Sequence, residues 1–137
     1  MKQVVGTLVF RYGKLLIVKP RKRPTFQMIG GSVENGETIL QAAIRECHEE
    51  LGGNAIFDEI NFEFVMDFQE IATSDGITKI HFYVFKYNGE LKGEITTSEE
   101  IEKFMWFGIN DDMNLLSNTL KNEVIPYCIK EGLIYNL

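Results

Sequence analysis

The chain has 137 residues, 45% hydrophobic and 25% charged, a profile that fits one domain (1–137) with an ordinary core and excludes a disordered chain. No apolar run approaches a membrane span, and Met1 to Gly6 lacks the apolar stretch and cleavage site of a signal peptide, so a cytoplasmic location and no membrane partner are expected. The formal net charge of −6 argues against nucleic-acid binding through a basic surface, while leaving room for polyphosphates bridged by metal ions.

In chain order, Val4 to Phe10 alternates and reads as a strand. Tyr12-Gly13-Lys14 turns into a short buried strand, Leu15 to Val18. Lys19 to Pro24 is a basic loop bounded by prolines, and Phe26 to Ile29 a brief extended piece before Gly30-Gly31. Thr38 to Leu51 reads as a helix, with Thr38 and Gln41 as a capping box and Gly52 as the stop. Phe62 to Ile71 and Thr78 to Tyr87 are rich in aromatic and β-branched residues, joined by the hairpin signal Ser74-Asp75-Gly76. Asn88-Gly89 marks another turn and Phe104 to Phe107 a short strand. Asp112 to Lys130 is expected to be helical, broken or kinked at Pro126, with Asp111-Asp112 as candidate caps. This order predicts an α/β (α+β) fold: a mixed sheet with a helix on each face. Cys47 and Cys128 form no CxxC pair and are expected to be buried small hydrophobes.

The segment Gly31 to Gly53 carries the chemistry. On a helix, residues three and four apart share a face, so Glu46, Glu49 and Glu50 project together beside an apolar side of Leu40, Ala43, Ile44, Cys47 and Leu51. Carboxylates so crowded repel one another unless a hard divalent cation sits among them. Arg45 can pair with one of them and fix its orientation. A solvated polar face is the alternative for a bare Glu-x-x-Glu-Glu.

The full spacing, G-x5-E-x7-R-E-C-x-E-E-x-G-G, resembles the signature of the Nudix hydrolases, G-x5-E-x7-R-E-U-x-E-E-x-G-U with U a bulky apolar residue. The match spans 23 residues, and the elements on both sides fit that family. Gly53 departs at the last apolar position, Cys47 is small for the first, and Ile29-Gly30-Gly31 stands where Pro-Gly-Gly is frequent. The resemblance implies a Nudix-type α/β/α sandwich, and an enzyme of the mutator type that cuts the anhydride of a nucleoside diphosphate linked to X. It implies Mg²⁺, with Mn²⁺ as a substitute. Glu49 and Glu50 become metal ligands, with the Gly30 or Gly31 carbonyl alongside. Glu46 becomes a further ligand or the base, Arg45 its orienter, and Glu37 a support of the loop–helix junction with an indirect role toward substrate. The family often recruits another glutamate before a Trp-containing strand, which selects Glu100, then Glu99, ahead of Trp106.

Substrate contacts are open to two readings each. Lys19, Arg21, Lys22 and Arg23 form either a phosphate-contacting loop, with Arg23 its contact, or a solvated one. Among Phe26, Phe68, Phe82 and Tyr83, Phe26 and Phe82 are candidates to stack on a base, although alternating aromatics usually serve the core. His81 is expected to be packed or solvated rather than a ligand. A late acidic residue, Asp111 or Asp112, is a minor candidate for touching the base. A free nucleoside triphosphate is the leading substrate and ADP-ribose or a sugar nucleotide the runner-up. A non-catalytic nucleotide sensor is the alternative from another class. A homodimer is common among such proteins, and no interface is legible in the sequence.

Overall fold

The computed structural model describes residues 1–72 and 74–137. Among the described residues nine strands form in chain order: β1 Lys2–Leu8, β2 Phe10–Arg11, β3 Lys14–Pro20, β4 Ile29–Ser32, β5 Ala55–Ile56, β6 Phe62–Ile71, β7 Lys79–Tyr87, β8 Lys92–Gly93 and β9 Ile101–Phe107. Helix α1 spans Ile39–Leu51 and α2 spans Ile125–Lys130. The main sheet has the order β4-β1-β7-β6, with β1 and β7 parallel and the other pairs antiparallel. A second sheet, β2-β3-β9, is antiparallel, and β5 pairs with β8.

The mixed sheet expected from the sequence is thus the four-stranded one, and the remaining strands form the second sheet and the β5–β8 pair. The strand read as Val4 to Phe10 begins at Lys2 and ends at Leu8, and the chain crosses to the second sheet through Val9, whose carbonyl accepts from Leu16 N at 2.9 Å. Tyr12 (φ 51°) and Gly13 (φ 73°) then form the two-residue turn between Arg11 and Lys14, where positive φ at both positions matches the strand twist. Strand β3 is longer than predicted because Lys14 pairs with Arg11 of β2, and Lys19 and Pro20 join the ladder to β9, which itself begins at Ile101 rather than Phe104.

Alternation on β3 shows where the layers lie. Leu15 and Ile17 enter a core with Leu120, Val124, Ile125 and Cys128, whereas Leu16 and Val18 enter one with Cys47 and Leu51 of α1. Val5, Phe85, Ala42 and Ala43 extend the α1 side. The helices thus cover opposite faces, giving an α/β/α sandwich. Among the described residues no helix is long and apolar enough to cross a membrane.

The C-terminal helix corrects another expectation. Asp112 to Leu116 is not its first turn: Met113–Leu115 is a separate 3₁₀ turn, with Asp112 Oδ1 accepting from Asn114 N at 2.9 Å. Asp111 Oδ2 accepts from Gly108 N at 2.7 Å, so neither aspartate caps the long helix. Helical structure starts near Asn118 and passes through a π-helical turn, Leu120–Val124, before α2. Pro126 has no N–H and would press on the carbonyl four residues earlier in a regular helix; the wider turn ahead of it relieves both demands.

Candidate active site

Helix α1 delivers the glutamates from a well-made start. Thr38 Oγ1 accepts from Gln41 N at 3.1 Å, and the Gln41 side chain accepts from Thr38 N at 2.9 Å, the capping box predicted from the sequence. At the other end Gly52, at φ 87°, donates to His48 O, and a Cβ there would strike the Thr96 carbonyl. Gly53, the departure from the family pattern, has open space around it, so no apolar partner waits for a side chain.

Gly30 and Gly31 lie within β4 rather than in a loop after an extended piece. They pair with Gly6 and Val5 of β1, and α1 packs across them. A Cβ on Gly30 would overlap the Val5 carbonyl, and one on Gly31 would overlap the Glu46 carboxylate. Glycine is needed here so that the glutamates can approach the backbone. Gly30 N donates to Glu50 Oε1 at 2.7 Å.

Arg45 organises the remaining carboxylates. Its guanidinium reaches Glu37 at 2.7 and 3.0 Å, Glu46 Oε1 at 2.9 Å, Glu49 Oε2 at 3.1 Å and the Ser32 carbonyl at 3.0 Å. Glu34 Oε1, which the sequence did not single out, is 3.8 Å away. Glu37 is consumed by this network. The Arg45 hydrogen bond, and then the Glu34 N–H, hold its carboxyl below the usual range. It fastens the loop to the helix and is not among the residues that line the groove.

Burial pushes the Glu50 carboxyl up to about 8, against the lowering effect of Gly30 N–H and with the charges of Glu46, Glu49 and Glu100 adding to the rise. Burial also raises Glu46, opposed by Arg45. Among the described residues no group of three or more His, Cys, Asp or Glu side chains is already arranged to hold a metal ion. The donor chemistry nevertheless suits a hard cation. Glu46 Oε2, Glu49 Oε1 and Glu50 Oε2 each have no hydrogen-bond partner among the described residues, and their clustered negative charge is only partly met by Arg45. Such a set becomes favourable when divalent positive charge enters it.

Glu100 belongs to the same field, since its charge acts on Glu50. Its loop is clasped by the basic run: Arg21 Nε donates to Glu99 O at 2.6 Å, Arg21 N donates to Glu100 O at 2.9 Å, and Lys19 pairs with Glu102 at 3.3 Å. Two members of the basic run therefore hold backbone and carboxylate rather than phosphate. Arg23 lines a groove with Gly30, Gly31, Glu50 and Phe82. Phe82 stacks on Phe68 with centroids 5.1 Å apart. Phe26 does not meet the groove as a stacking ring: it is 5% exposed and packed in the core, where its backbone pairs with the segment around Leu116. Asp111 lies at a different cleft with Lys14 and Tyr135. His81 Nε2 sits 2.6 Å from Asp67 Oδ2, with its ring stacked on Tyr83.

Sequence reasoning missed Lys2, Gln27, Ser117, Thr119 and Lys121, which also line the groove. They come from three separate places in the chain, and only the β1–β7 pairing and the docking of the C-terminal helix bring them together.

The model of the NUDIX domain family matches residues 2–128. A Nudix hydrolase of Bacillus subtilis strain 168, YvcI, is 25% identical over 138 residues, covering 98% of this chain and 84% of its own length. A NUDIX hydrolase from Nitrosomonas europaea superposes with a TM-score of 0.75 at 21% identity, over 99% of this chain and 93% of that one. A bifunctional NMN adenylyltransferase/ADP ribose pyrophosphatase from Francisella tularensis, complexed with AMP and a manganese ion, superposes at 0.71 with 21% identity, over 96% of this chain and 42% of its own.

Proposed function

The chain belongs to the Nudix family, and from that membership we propose that it is a pyrophosphohydrolase that takes a nucleoside triphosphate to a nucleoside monophosphate and pyrophosphate. The supporting observation is Glu50, half-buried against Gly30 and held among Glu46, Glu49 and Glu100. Glu46, Glu49, Glu50 and a Gly30 or Gly31 carbonyl would hold Mg²⁺, or Mn²⁺ in its place. Bound there, the cation supplies positive charge to the diphosphate and acidity to the attacking water.

The protein's own groups do the rest. Water oxygen attacks phosphorus, the P–O anhydride bond breaks, and the water proton passes to a carboxylate. Glu46 is suited to receive it, because burial raises its proton affinity and Arg45 holds one oxygen in place, leaving the other free. Glu100 is the second candidate base or ligand, held by the Arg21 clasp. Arg23 offers charge to a phosphate, and Phe82 an apolar surface to the nucleoside.

A second reading, ADP-ribose or a sugar nucleotide, is favoured by the groove beyond Phe82, whose walls are mainly hydroxyls, amides and charges. The Francisella tularensis relative is described as an ADP ribose pyrophosphatase. The deciding experiment is a panel of triphosphates, ADP-ribose, sugar nucleotides and dinucleoside polyphosphates with Mg²⁺, Mn²⁺ or EDTA, run beside Glu49→Gln. Metal-dependent release of a monophosphate, lost in the variant, supports the proposal. A folded protein that binds nucleotides but cuts none of them would make it a sensor instead.

A further inference from the structure

The groove has two unlike ends. The inner part, about 260 Å³, meets Gly30, Gly31 and Glu50. The outer part, about 610 Å³, shares Lys2, Arg23, Gln27 and Phe82 with it and adds Lys121. Its three cations come from the start of β1, the β3–β4 connection and the C-terminal helix. Among the described residues, none of the three has a carboxylate at ion-pair distance.

Two carboxylates, Glu70 and Asp75, line the same outer groove, and both are held by neutral donors rather than by the three cations. Asp75 Oδ1 accepts from Ile77 N and Thr78 N, each at 2.8 Å, and its Oδ2 takes the Thr78 hydroxyl. Glu70 Oε1 accepts from the Thr119 hydroxyl at 2.5 Å. Three cations thus gather without partners in a chain of net charge −6. Gathered like charges repel, and a bound anion reverses that cost by accepting charge-assisted hydrogen bonds. Among the described residues Phe82 is the only aromatic ring in these walls, so no second ring sandwiches a flat base against it. The amide of Asn114 and the hydroxyls of Thr25 and Ser117 are donors that suit phosphate oxygens, while the Gln27 amide is taken up by Thr25 at 3.1 Å.

We infer that the outer groove receives a phosphomonoester that is separate from the diphosphate being cut. The substrate class is then a nucleoside diphosphate derivative with a further phosphate on its sugar or on the X group. This rests on the hydrolase reading, because it takes the inner carboxylates as the seat of the anhydride. A simple triphosphate concentrates its charge at one end and leaves the outer cations unmatched.

The test is equilibrium binding in EDTA, without turnover, of ADP-ribose and of ADP-ribose 2′-phosphate, and likewise of dephospho-coenzyme A and coenzyme A. The extra phosphate in at least one pair is expected to tighten binding about tenfold or more. Lys121→Gln, checked for an unchanged Tm, should narrow that gap to about twofold, the loss of one charged contact. Raised salt should narrow it in the unaltered protein, a readout that needs no substitution. Equal affinities within both pairs, or a gap indifferent to both Lys121→Gln and salt, overturn the inference. A preserved gap in a protein that releases no monophosphate with any metal would instead overturn the hydrolase reading and leave the phosphate site standing.

Discussion

Glu50 is a residue whose electrostatics oppose the fold and suit the chemistry. Its carboxyl is raised to about 8, first by burial and further by Glu46, Glu49 and Glu100. In the unfolded chain it would titrate near the ordinary value of 4.5. A folded-state value above the unfolded one means that its contribution is fully present below the unfolded pKa and is lost as pH rises through the folded one. The metal-free protein should therefore lose stability between roughly pH 5 and 8 on account of this group. Glu50→Gln keeps an oxygen for Gly30 N–H and removes the charge. Its Tm in EDTA is expected to exceed that of the unaltered protein by a margin that widens from pH 5 to pH 8, while turnover falls by at least about a hundredfold. A margin that is flat with pH would show that Glu50 is already ionised at little cost. Added Mg²⁺ favours the ionised form, so the Tm increment from the metal should grow over the same pH range in the unaltered protein and be much smaller in Glu50→Gln. Thermal melts across pH, with and without the ion, test both statements.

At the scale of elements, α1 shows what local sequence can specify. Thr38, Gln41 and Gly52 announce both ends, and the observed helix starts and stops there. Removing the cap hydroxyl with Thr38→Ala should cost about 1 kcal/mol, read as a lower denaturant midpoint with unchanged m-value. Activity well below the transition should survive, because Thr38 touches neither the groove nor Arg45; an activity loss larger than the stability loss would tie the cap to the Glu37 junction. The boundaries of the other elements were harder to read because they depend on partners distant in sequence. Val9 is apolar and alternates like a strand residue, yet it is where the chain changes sheets. Gly30 and Gly31 look like a loop, but β1 supplies a neighbour that turns them into a strand. The C-terminal helix carries no start signal at Asp112 comparable to that of Thr38, and Asp112 caps a short turn of its own. The motif also announced the glutamates and Arg45. Lys2, Lys121 and Thr119 were illegible as site residues because nothing local to them refers to the groove.

For the whole molecule, the sandwich places one cysteine under each helical layer. Cys47 lies with Leu16, Val18 and Leu51, and Cys128 with Leu15, Ile17 and Leu120, on opposite sides of β3. Both are fully buried, and burial pushes each thiol up to about 12. The reactive species is the thiolate, so both lack of access and high pKa suppress reaction in the folded state. A chromogenic disulfide reagent at pH 8 is expected to label neither cysteine in the native protein and both after unfolding. Because β3 contributes alternate residues to the two cores, loss of one core strips packing from the strand that supports the other. The two thiols should then become reactive at the same denaturant concentration, as followed by mass spectrometry of the labelled peptides. Labelling of Cys128 ahead of Cys47 would instead mean that the C-terminal layer opens alone. That layer carries Ser117, Thr119 and Lys121, one wall of the groove. Its independent opening would admit and release substrate while the glutamate helix stayed in place, so the order of labelling also bears on how the groove is entered.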